Sequence, residues 1–150
     1  MNFLTDPQTG VAEMRRVARP GGRVAACVWD YSGVMTMLRA FWDAALELDP
    51  DAPDEGATMP FCREGELGRL WDRCGLTEVA HGALDIEASY PDFDDFWSPF
   101  PTGLAPSGAY CASLPPEAQE ALREACRRRL GDPAGPFSLT ARAWYAVGRA

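Results

Sequence analysis

The stretch EMRRVARPGGRVAACVWD, Glu13 to Asp30, constrains the fold of this chain more than any other. Upstream of it, Asp6-Pro7 is a helix start, an N-cap acceptor followed by proline at the first helical position. Val11, Met14, Val17 and Ala18 then fall at helical spacing, with Glu13, Arg15, Arg16 and Arg19 on the other side. Pro20-Gly21-Gly22 ends the helix and turns the chain. Arg23 to Trp29 is a nearly continuous apolar run, which suits a strand covered on both faces. A helix followed this closely by a buried strand is the second half of a βαβ unit, and it implies a parallel partner strand before the helix. Before Asp6 only MNFLT remains, at most the tail of such a strand.

Downstream, a second helix is expected from about Met35 to Leu48, with Leu38, Phe41, Trp42, Ala45 and Leu46 as its apolar face. DPDAPDEGATMP reads as a polar, proline-rich loop. A shorter helix over about Glu64 to Arg73 presents Leu67, Leu70, Trp71 and Cys74, with Gly75 as its stop. Thr77 to Ala88 reads as a strand whose alternation slips near Gly82, where a bulge is expected. YPDFDDFWSPF predicts a short helix led by Asp92, and Pro101 to Leu114 reads as loop. Pro116 to Leu130 predicts a helix lined by Ala118, Ala121, Leu122, Ala125 and Cys126, closed by Gly131. FSLTARAWYAV, with Phe137, Leu139, Ala141, Ala143, Tyr145 and Val147 on one face, is the clearest strand. Helices and strands alternate, so the class is α/β, in one domain of 150 residues without repeats or linkers.

The charge balance narrows the partners. The net charge is −8, and all 14 basic residues are arginine, a usage that fits a GC-rich genome. No dense basic stripe exists to displace counterions, which argues against nucleic acid. Arg127, Arg128 and Arg129 sit where a helix should end and complement its dipole. The five cysteines, Cys27, Cys62, Cys74, Cys111 and Cys126, form no Cys-x-x-Cys pair. Buried, reduced thiols in a cytoplasmic protein are expected. No signal peptide and no apolar run near the length of a membrane span is present, so no membrane partner is expected.

NFLTDP, EMRRVARPGGRVAACVWDY, FCREGELGRLWDRCGL and LTARAWYAVGRA together resemble the C-terminal half of a class I S-adenosylmethionine-dependent methyltransferase. The resemblance implies a partial Rossmann-like fold. RPGGR leads into strand five, Leu67 to Val79 form the helix and turn into strand six, and the closing segment is antiparallel strand seven, inserted between five and six. It implies S-adenosylmethionine as cofactor and a small-molecule methyl acceptor. Asn2 and Phe3 would lie at the end of strand four beside the methyl group, and Trp29, Asp30 and Tyr31 at the end of strand five facing the acceptor. The chain departs from the pattern in one respect. The family's Gly-rich loop after strand one and the acid at the end of strand two are both absent. Gly21-Gly22 cannot stand in, because they follow a helix and precede a strand. The expectation is a fold whose front half with the cofactor loop is missing, or a start codon misassigned at Met1.

Trp42, Phe96, Trp97, Phe100 and Tyr110 are candidates for an aromatic lid over a flat substrate, with core packing as the plain alternative. Trp29 packs and Asp30 caps a turn if neither meets a ligand. His81, the single histidine, has no evident acid or base partner. Cys62, Cys74 and His81 lack zinc spacing, and Asp92, Asp94 and Asp95 lack the glycine and distal glutamate of a calcium loop. No Ser-His-Asp arrangement is available either. Three functions follow as expectations. The first is a truncated methyltransferase, inactive by itself. The second is an interaction module that forms a homodimer, or docks a complementary fragment, through the exposed edge of strand five. The third is a binder of small apolar ligands.

Overall fold

Asp6 starts the first helix as its position predicts. Its carboxylate accepts hydrogen bonds from the backbone N–H groups of Gln8 and Thr9, both at 3.1 Å, and Pro7 occupies the first turn. In the computed structural model, which describes residues 1–150, this helix is α1, Pro7–Val17. The chain then forms β1 (Arg23–Trp29), α2 (Thr36–Leu48), α3 (Glu55–Thr58), α4 (Glu66–Arg73), β2 (Thr77–Tyr90), α5 (Phe93–Trp97), a 3-10 turn (Phe100–Thr102), α6 (Ala105–Ser113), α7 (Pro116–Arg129) and β3 (Phe137–Arg149). The class is α/β. The three strands form one sheet in the order β1-β3-β2, with β1 and β3 antiparallel. No helix is long and apolar enough to cross a membrane.

The contacts divide the chain into two compact units. The first holds Met1–Ser32, Met59–Asp85 and Arg142–Ala150; the second holds Gly33–Thr58 and Ile86–Ala141. In the first unit, Val11 of α1, Val24 and Val28 of β1, and Leu67, Leu70 and Trp71 of α4 close a core with Ala146 of β3. Each such buried aliphatic side chain contributes about 1.5–3 kcal/mol by leaving water. Trp71 is fully buried, and its indole Nε1 donates to the Val24 carbonyl at 3.0 Å, tying helix to strand. Gly75 ends α4 at φ +73°, which spares a side chain the left-handed strain.

The second unit is built around aromatic rings. Phe41 of α2 is fully buried. It stacks on Phe100 with centroids 4.4 Å apart and meets Trp42 edge-on at 5.1 Å. α2 packs along α7, where Leu122, Ala125 and Cys126 face inward. Arg127 lies over the Phe93 ring, and Arg129 donates to Glu47 at 3.0 Å. The arginines that end α7 therefore make specific contacts as well as complementing its dipole.

Several sequence expectations need correction. β1 is covered on one face only: Val24 and Val28 are buried, while Arg23, Ala25, Cys27 and Trp29 are exposed. Cys27 is thus an exposed thiol, not a buried one. Residues before α1 make a turn, closed by the Leu4 N–H on the Met1 carbonyl, and add no strand beside β1. Val17, placed on the apolar stripe of α1, is 64% exposed. The polar loop after α2 contains the single-turn α3, and the segment expected as loop between Pro101 and Leu114 contains α6. The inward face of α6 is made of Ser107, Gly108 and Cys111, so hydrophobic periodicity could not reveal it. No bulge forms at Gly82. The pairs Glu78–Arg149 and Asp85–Arg142 lie on either side of it and keep one register. Gly82 serves close approach instead, since a Cβ there would sit 3.1 Å from the Tyr145 ring.

Candidate functional site

The carboxyl end of β1 brings together the polar groups that the sequence singles out in the first unit. Trp29 is 37% exposed and closes the strand. Asp30 follows it and is 5% exposed. Its backbone N–H donates to the Arg142 carbonyl at 2.8 Å, and its carboxylate accepts from the Ser32 hydroxyl at 3.0 Å. Asp30 therefore fastens the turn to β3. The Tyr31 N–H donates back to the Trp29 carbonyl at 3.0 Å, which bends the chain at this point.

Two further groups stand beside this turn. Cys62 is fully buried, and burial pushes its thiol up to about 11, against a smaller opposing effect of the Tyr31 backbone. Such a thiol stays protonated at neutral pH and is no nucleophile. Arg142 grips Asp85 with two hydrogen bonds, of 2.6 and 2.9 Å, and lies over the Trp144 ring. Both hydrogen bonds hold the guanidinium charged and hold the Asp85 carboxyl below its ordinary range. The sequence does not mark this pair. It is made by strand register across 57 positions, and no local spacing records it.

His81 lies elsewhere, exposed on β2 against the backbone of Gly68, where an added Cβ would meet its ring at 2.4 Å. It has no hydrogen-bonded carboxylate and no nucleophile at hand. No group of three His, Cys, Asp or Glu side chains is placed to hold a metal ion. At the turn after β1, the Asp30 carboxylate is engaged by Ser32 and its backbone by Arg142, and the Cys62 thiol beside it stays protonated at neutral pH.

Asn2 and Phe3, expected beside a cofactor, lie in the N-terminal turn, with Phe3 74% exposed. The Gly21-Gly22 turn is occupied by its own contacts. Gly22 N–H donates to the Arg19 carbonyl at 2.7 Å, and the Gly22 carbonyl accepts from Ala150 N–H at 2.9 Å. Nothing there is free to cradle a cofactor. The residues present do not by themselves fit S-adenosylmethionine.

In the second unit the expected lid residues are interior. Trp42 is 0%, Phe96 1% and Trp97 8% exposed, packed with Phe41 and Phe100. They form the core of that unit and leave no aromatic face open. Tyr110 is half-buried and donates to the Asp49 carboxylate at 3.2 Å, at the rim of a groove of about 160 Å³ between α2, α6 and α7.

A charged cluster lies at the start of α3. Arg39 donates to both oxygens of Asp54 at 2.9 Å and also binds Asp43. Glu55, 7% exposed, stands next to this pair, with one carboxylate oxygen lacking a hydrogen bond. Burial raises the Glu55 pKa, Asp54 adds to the rise, and Trp42 and Arg39 oppose it. A folded pKa above the unfolded one means that Glu55 favours folding below about pH 4.5. That contribution is lost as pH climbs through the folded value. Glu55→Gln is therefore expected to raise the Tm by a few degrees at pH 7, with the gain disappearing at pH 4 when both melts are compared by circular dichroism. An equal gain at both pH values would show that the carboxylate charge is not the cause.

No family model matches the chain, and no curated protein is found to match it.

Proposed function

We propose that the chain is the acceptor-side half of a class I S-adenosylmethionine-dependent methyltransferase, acting on a small molecule and inactive by itself. The observation that carries this reading is the strand order. β3 is the last strand in sequence, yet it lies antiparallel to β1 and between β1 and β2. That is the arrangement the resemblance implies for strands five, seven and six. The helix that enters β2 adds support, since the Leu67, Trp71 and Gly75 spacing forms α4 and its stop.

In this reading Trp29 and Tyr31 face the acceptor at the carboxyl end of β1, where open α/β sheets bind ligands. Asp30 positions the turn that carries them. Transfer of a methyl group from a sulfonium asks the protein for alignment more than for a base. A turn that orients without acid–base groups is compatible with that demand. The cofactor half would come from residues outside these 150.

Titration calorimetry with S-adenosylhomocysteine tests this. The chain alone is expected to give no heat. The longer product, translated in frame from the bases upstream of the Met1 codon, is expected to contain a Gly-rich strand–loop–helix and to bind in the micromolar range. No Gly-rich segment upstream, together with no binding by the chain, would overturn the reading.

A further inference from the structure

We propose that β1 pairs antiparallel with β1 of a second copy of this chain, joining two three-stranded sheets edge to edge. β1 is an edge strand, with β3 on one side only. Two backbone contacts fix which residues face outward. Ala150 N–H donates to the Gly22 carbonyl, and Asp30 N–H donates to the Arg142 carbonyl, on the same register as Val24–Gly148, Ala26–Ala146 and Val28–Trp144. Antiparallel alternation then turns the even-numbered residues of β1 toward β3. The odd-numbered residues Arg23, Ala25, Cys27 and Trp29 turn their N–H and C=O groups to the open edge. Their side chains are the exposed ones.

The devices that usually blunt an edge are missing here. β1 has no proline, and its only charge is Arg23 at one end. The occupant must be an extended, uncharged strand with small side chains. Among the strands of this chain only β1 itself qualifies. β2 carries Glu78, Asp85 and Glu87, and β3 carries Arg142 and Arg149. Charge argues the same way. A chain of net charge −8 repels its own copies, but β1 is a stretch where two copies meet without opposing carboxylates.

The register follows from the alternation. Outward residues must pair with outward residues, and full overlap centres the two-fold axis on Ala26. Ala25 then pairs with the partner's Cys27, and Arg23 with the partner's Trp29, a guanidinium against an indole at each end. Beside the edge, Ala25, Cys27, Leu84, Tyr145 and Val147 line a shallow open depression of about 480 Å³. Pairing would join two of these into one apolar surface.

Sedimentation velocity of the 150-residue chain decides the matter. The pairing is a property of this chain alone, because a strand four supplied by the longer product would take the same edge of β1. The wild type is expected to be a dimer at about a hundred micromolar. Ala25→Pro removes an outward N–H without touching a bond to β3, a position where an edge strand tolerates proline. Cys27→Lys places two cations close together across the axis. Each variant is expected to weaken dimerisation by about tenfold or more while keeping the wild-type circular dichroism spectrum. Should Ala25→Pro fail to fold, Cys27→Lys, on an exposed side chain, settles the question alone. A wild type that stays monomeric at that concentration overturns the proposal, as does a dimer that folded variants leave intact.

Discussion

Trp71→Ala is expected to lower stability by about 3–5 kcal/mol, the range for deleting a fully buried aromatic side chain. Trp71 has no exposed surface and stands among Val24, Val28, Leu67, Leu70 and Leu76. Its loss opens a cavity between α4 and β1 that neither element can collapse into. The hydrogen bond to the Val24 carbonyl is a smaller part. Trp71→Phe keeps most of the volume and drops the N–H donor, so a cost of about 1 kcal/mol is expected from the bond, with some further loss from imperfect packing. Urea denaturation followed by circular dichroism separates the two variants. A Trp71→Ala cost no larger than that of Trp71→Phe would mean that the packing role assigned to the ring is wrong.

Phe41→Ala is expected to cost a similar amount, about 3–5 kcal/mol, for a different reason. Phe41 is the ring that the other aromatics of its unit share. Phe100 stacks on it, Trp42 and Tyr110 meet it edge-on, and Trp97 lies 6.4 Å away with its plane inclined by 30°. Such ring pairs add about 0.5–1.5 kcal/mol each beyond the area they bury. Phe41→Leu refills much of the volume and loses those geometries, and it is expected to fall between wild type and Phe41→Ala. If near-ultraviolet circular dichroism, which reports fixed aromatic packing, is unchanged in Phe41→Ala, Phe41 does not organise the cluster.

Elements governed by neighbours along the chain were legible in the sequence. Asp6-Pro7, the Pro20-Gly21-Gly22 turn, Gly75 and Asp92 all act where their local chemistry places them, because a cap or a stop needs only a few residues to work. The strand β3, Phe137–Arg149, was legible by alternation. What escaped depends on distant partners. The open face of β1 follows from what does not pack on it, and an apolar run reads the same whether one face or two are covered. Arg142 and Asp85 meet only because register aligns them. The aromatics of α5 carry no mark that tells a lid from a core, and packing alone decides that they are interior. Glu55 was passed over because one acid among several in a polar stretch does not announce its burial.

The charges of β2 have a consequence for how far any assembly can grow. A sheet with two bare edges adds copies without limit, which is the route to fibres. Here the far edge belongs to β2, which carries the charged side chains Glu78, Asp85 and Glu87, two of them ion-paired back onto β3, the kind of residue that blunts an edge. Only one edge accepts a partner, and a two-fold pairing consumes it on both sides at once. Growth would therefore terminate at two chains, and an acid-neutralising change on β2 would be the step that converts a closed pair into a polymerising one.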